Sequence, residues 1–134
     1  MNTLERTRLD DGGSIEQLIQ KSLSEEGISV ASPEGREIAA SILRHASLNA
    51  SMIKTSGVTN ARAWVRNRMA KDIVEAAEWI GLVVDEFGSI WIPPHWQRPS
   101  DSNLDKFRLP RLAHLLANGY ANQSTRRRGT YAHR

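Results

Sequence analysis

The sequence predicts a mainly α-helical chain with one small β-hairpin, a C-terminal helix and a basic tail, and three observations carry that prediction. Apolar residues recur at helical spacing in "SIEQLIQKSL", in "REIAASILRHA" and most clearly in "WVRNRMAKDIVEAAEWI". Gly81 stops the last of these, and "LVVDEFGSIWI" then reads as two short strands rich in Val, Ile and Trp around a turn, with Gly88 free to take positive φ. Beyond it, "PPHWQRPSDSN" reads as an extended linker, because proline cannot join a sheet ladder, and "LPRLAHLLANG" reads as a last helix with Pro110 in its first turn.

In chain order, residues 1–13 carry no period and are expected to be a flexible N-terminus. A helix begins at Ser14, where "SIEQ" is a capping box, and Ile15, Leu18, Ile19 and Leu23 mark its apolar side before Gly27 ends it. "ISVA" reads as a short strand. "SPEG" opens a second helix, with Ser32 as cap, Pro33 in the first turn and Ile38, Ile42, Ala46 and Ile53 on the buried side. In "SLNASMIKTSG" the Ser, Asn and Gly residues place a break near Asn49 and a restart before Gly57. The third helix is expected from Thr59 or Asn60 to Ile80, with Val65, Met69, Ile73, Ala76, Ala77 and Ile80 as its stripe. These elements make a domain over residues 14–92, followed by a linker at 93–103, a helix at 104–119 and a basic, disordered tail at 120–134.

Composition narrows the function. A chain of 134 residues without cysteine is about one domain with no disulfide framework, thiolate nucleophile or thiolate metal site. The histidines His45, His95, His114 and His133 fall in no ligand pattern, so neither metal nor cofactor is expected. No apolar run approaches the ~18 residues of a membrane span, and the N-terminus lacks the apolar core of a signal peptide. A soluble, cytoplasmic protein is expected. Gly-rich phosphate loops, nucleophile elbows and H-E-x-x-H are absent, and the acid pairs Asp10 and Asp11, Glu25 and Glu26, and Asp85 and Glu86 sit at ends or turns, so no enzyme is expected. The net charge of +3 hides a gradient, from −4 over residues 1–35 to +6 over residues 93–134. A basic end attracts phosphate or another acidic surface; it serves equally as a solubilising tail.

Helix, short strand, helix, helix and hairpin, with "EWIGLVVDEFGSIWI" joining the last helix tightly to the hairpin, resembles the winged helix-turn-helix family of DNA-binding proteins. The resemblance covers residues 14–92. It implies that the third helix is a recognition helix entering the major groove with its N-terminal part.

The residues of that helix argue for the same partner independently. Arg62, Arg66, Arg68 and Lys71 lie in its first half and Asp72, Glu75 and Glu78 in its second, an order that opposes the helix dipole. Arg62 and Arg66 fall on the side of Met69, Ile73 and Ile80, so the stripe is read as turning basic toward the N-terminus, where it projects past the core. Arg62 and Arg66, with Asn60 and Asn67, are the candidates for base edges and phosphates. Arg68 and Lys71 are candidates too, or else pair with Asp72 and Glu75 one turn on.

Asp85 and Glu86 at the hairpin tip would repel phosphate, so no wing contact is assigned there. Trp91, facing away from Ile90 and Ile92 with Val83 as cross-strand neighbour, either packs the fold or joins Trp96 in an aromatic patch for a partner; Trp64 and Trp79 carry the same pair of readings. Leu112, Leu115 and Leu116 of the last helix are candidates for a homodimer or protein interface. Arg126, Arg127 and Arg128 resemble a phosphate-binding arm. The expectation is a small duplex-DNA-binding protein, a transcriptional regulator or an accessory factor of a mobile element such as a phage or plasmid. The alternatives are a protein-interaction module that docks on or inhibits a nucleoprotein complex, and an RNA-binding component of a larger assembly.

Overall fold

The computed structural model describes residues 14–55 and 57–126, the side chains of residues 54, 55, 58 and 124–126 excepted. Six helices and one two-stranded sheet are formed among them: α1 (Ile15–Glu25), α2 (Pro33–Leu48), α3 (Ala50–Thr55), α4 (Gly57–Trp79), β1 (Val83–Val84), β2 (Ile90–Trp91), α5 (Asp101–Leu104) and α6 (Pro110–Arg126). The chain divides into two compact units, Met1–Lys71 and Asp72–Arg134.

In the first unit, Ser14 caps α1 by accepting from the Gln17 amide at 3.1 Å. The Ile28 and Gly27 amides close the other end on the Leu23 and Ser24 carbonyls, an arrangement that needs the positive φ of Gly27 (77°). Ile15, Leu18, Ile19 and Leu23 face Ile38, Ala39, Ile42 and Ala46 as the buried sides of the packed pair α1 and α2. "ISVA" is a turn, not a strand. The Ser29 side chain accepts from the Ala31 amide, the Ser32 hydroxyl donates to the Ser29 carbonyl, and Ser32 also caps α2 by accepting from Gly35. Serines that bond their neighbours' backbone offer it an alternative to a ladder. The break near Asn49 occurs as expected: its amide donates to the Ala46 carbonyl, its side chain donates to the His45 carbonyl, and α3 starts at Ala50.

In the second unit, α4 ends at Trp79, and Gly81 (φ 94°) turns the chain into the hairpin. Trp96 covers that turn: its indole Nε1 donates to the Ile80 carbonyl at 2.8 Å. The strands are antiparallel, with Val83 opposite Trp91 and Val84 opposite Ile90, the register that alternation predicts. The last helix differs from expectation in two respects. Ser100 caps a separate turn, α5, by accepting from the Asn103 amide, so residues 101–109 are not linker running into one helix. Helix α6 then passes Gly119 and reaches Arg126, because Ala117 is buried and Tyr120 and Ala121 are half-buried, so apolar contact continues beyond the glycine. Residues 120–126 are therefore helix rather than disordered tail. The N-terminal segment 1–13 and Arg127 and Arg128 lie outside the described residues, and Arg126 is placed by its backbone alone.

Candidate nucleic-acid interface

Between Glu37 and Asp72 lie 34 residues with six Lys or Arg and no Asp or Glu: Arg44, Lys54, Arg62, Arg66, Arg68 and Lys71 are the cations. Four of the six are on α4. That helix starts at Gly57, so Arg62 stands beyond its first turn, where the dipole effect has largely decayed. The conflict with the dipole is thus confined to Glu78 in the last turn, and the order of charges is less costly than the sequence implies.

The buried line of α4 runs through Ala61, Val65, Met69, Asp72, Ala76 and Ile80, all at 5% exposure or less. Of the expected stripe, Val65, Met69, Ala76, Ala77 and Ile80 are buried and Ile73 is half-buried, so its phase is as read, but its continuation is not. The stripe does not turn basic toward the N-terminus, and the first turns do not project past the core, because Ala61 and Val65 continue it at zero exposure. At about 100° per residue, Arg62 and Arg66 lie on one border of the buried face and Arg68 on the other. Arg62 and Arg68 are half-buried and Arg66 is exposed. Asn60, Asn67 and Lys71 are exposed on the outer surface with Ala63 and Ala70.

Asp72 and Glu75, the first acids beyond Lys71, meet a cation from outside the helix. Arg108 places Nη2 at 3.0 Å from Asp72 Oδ1 and 2.8 Å from Glu75 Oε1, so the ion pairs expected within α4 have a competing cation. The hydrogen bond to Glu75 raises the Arg108 pKa above its ordinary value, burial acts against it, and the bond to Asp72 adds to the rise. Nothing in the sequence pattern signals this pairing, since Arg108 is 36 residues from Asp72.

The tip of the hairpin also differs in chemistry from its composition. Asp85 Oδ1 accepts from the Phe87 and Ser89 amides at 2.9 Å each, and Oδ2 accepts from Trp91 Nε1 at 2.8 Å. Its charge is engaged in shaping the turn, leaving Glu86 and Phe87 outermost, the latter 85% exposed. A sequence signal for Asp85 existed: Asp opening a turn that closes on Gly is a side-chain-to-backbone turn. Both Trp91 and Trp96 are half-buried with their indole N–H groups bonded inside the second unit, which accounts for them as packing residues. Trp79 is 56% exposed with its ring 5.2 Å from that of Phe107, and Trp64 is half-buried. Of the leucines of α6, Leu112 is buried, Leu116 half-buried and Leu115 exposed.

Among the described residues no group of three or more His, Asp or Glu is arranged to hold a metal ion, and no helix is long and apolar enough to cross a membrane. Comparison with protein-family models, with curated proteins and with solved structures finds no match for this chain.

Proposed function

We propose that the protein binds duplex DNA through the outer surface of α4, as a small winged-helix-like regulator or accessory factor without catalytic activity. The observation that carries this reading is the run of 34 residues without a carboxylate, which leaves Arg66 and Lys71 exposed on α4 with Arg62 and Arg68 at the borders of its buried face. The part of α4 up to Lys71, bearing cations toward both its borders and no anion, is complementary to two phosphate backbones flanking a groove. The order of elements, with a hairpin leaving α4 directly through Gly81, supports the winged-helix form of the reading.

The test is binding of the full chain to a random duplex pool across a salt series. Wild type should lose affinity steeply with salt, and the Arg66→Ala, Lys71→Ala double variant should bind more weakly to every duplex, with the slope reduced by about two. Binding that ignores both substitutions would remove α4 from the interface.

A second reading, docking on another protein, is favoured by Phe87, because an aromatic ring this exposed on a turn fixed by three hydrogen bonds to Asp85 loses little entropy on binding. The RNA reading rests on residues 127–134, outside the described residues.

A further inference from the structure

We infer that the duplex taken by α4 carries A·T base pairs at the centre of its site, read from the major groove; this rests on the DNA-binding reading above. The outermost line of the first unit's part of α4 consists of Ala63, Asn67 and Ala70, spaced four and three residues apart and all exposed. Arg66 stands on one side of this line, and Asn60 and Lys71 on the other. The relief of the helix is therefore low in the middle and cationic at its margins.

That relief selects a ligand. Two methyl side chains let the helix, about 10–12 Å across, lie deep in a groove about 12 Å wide. The cations at the margins meet the phosphates rather than the base edges. What reaches the bases is one carboxamide and two methyl groups. The Asn67 carboxamide offers a donor and an acceptor together, matching adenine N7 and N6–H2, whereas guanine presents two acceptors. Ala63 and Ala70 offer apolar contact, for which the thymine C5-methyl is the only apolar group in the major groove. Seven residues of helix rise about 10.5 Å, which spans about three base pairs at 3.4 Å each. The core is accordingly about three A·T pairs.

The experiment compares, at one salt concentration, duplexes that differ only in a central triplet of A·T or G·C pairs within the same flanks. Two further A·T duplexes carry uracil for thymine, which removes the C5-methyl, or 7-deazaadenine for adenine, which removes N7. The expected result is about ten-fold tighter binding to the A·T core, weakened by either base analogue. The Asn67→Ala variant, altered only at an exposed position, should lose the sensitivity to 7-deazaadenine, retain a smaller preference that uracil removes, and keep the wild-type salt slope. A preference untouched by either analogue would place the recognition in the minor groove or in DNA shape and overturn the inference. Equal affinity for both cores, with sensitivity to Arg66→Ala and Lys71→Ala retained, would also overturn it while leaving DNA binding through α4 in place. Loss of that sensitivity as well would remove the DNA reading and this inference together.

Discussion

Arg108 Nη2 lies 3.0 Å from Oδ1 of Asp72, a carboxylate with no exposed surface in the middle of a helix. A second bond from the same atom to Glu75 at 2.8 Å ties the segment before α6 to the C-terminal half of α4. Removing the cation takes a hydrogen-bonded partner from a buried charge. Because the Arg108 side chain is 34% exposed, the expected cost of Arg108→Ala is about 2 kcal/mol, below the 3–5 of a fully buried pair. Urea unfolding measures it, and an unchanged midpoint would show that Asp72 does not depend on Arg108. The double variant Arg108→Met, Asp72→Leu should recover much of the loss, since it removes both charges.

Asp85→Asn tests the hairpin turn. The new amide oxygen can still accept from Phe87 and Ser89, but its NH2 faces the Trp91 N–H, donor against donor. We expect a loss of about 1–2 kcal/mol and a change in the near-ultraviolet dichroism of the tryptophans. A spectrum identical to wild type would mean that the Trp91 bond does not form in solution.

Gly81→Ala combines two faults. Its φ of 94° is unfavourable for any side chain, and a Cβ there would come within 3.2 Å of Trp96 Nε1, crowding the bond from Trp96 to Ile80. The expected destabilisation is about 2 kcal/mol or more, with Trp96 fluorescence shifted toward that of an exposed indole. Because Trp96→Phe removes the same bond without the backbone strain, it should cost less than Gly81→Ala; the opposite order would count against the strain.

Burial raises the Tyr120 phenol above its ordinary pKa. The unfolded chain therefore gives up this proton first as pH rises. The contribution to stability is complete below the ordinary tyrosine value and is lost as pH climbs through the raised one. Thermal midpoints across about pH 9 to 11 should fall more steeply for wild type than for Tyr120→Phe. Parallel curves would show that the ring is solvated and that α6 does not pack beyond Gly119.

Much of the candidate site is legible in the amino-acid sequence. The cations of α4, the cap at Ser14, the break at Asn49 and the pairing of Val83 with Trp91 each follow from residue types within a few positions of one another. How far the buried face of α4 reaches is not legible there. The stripe read from Val65, Met69, Ile73, Ala76, Ala77 and Ile80 is buried apart from half-buried Ile73, but Ala61 and Asp72 extend it at zero exposure. Alanine is equally at home on either side of a helix and aspartate is ordinarily outside, so the apolar pattern alone does not mark them.

What the amino-acid sequence determined by itself is the set of local structures: mainly helices, one hairpin and a stretch of cations without acids, because propensity, capping and turn chemistry act over a few residues. What only the tertiary structure decided is the extension of the buried face of α4 through Ala61 and Asp72, the continuation of α6 past Gly119, and the pairing of Asp72 with Arg108. The physical reason is distance along the chain in one case and competition in the other. A carboxylate enters a helix's buried face when a cation 36 residues away meets it there. A helix passes a glycine when the contacts beyond it outweigh the entropy that glycine costs.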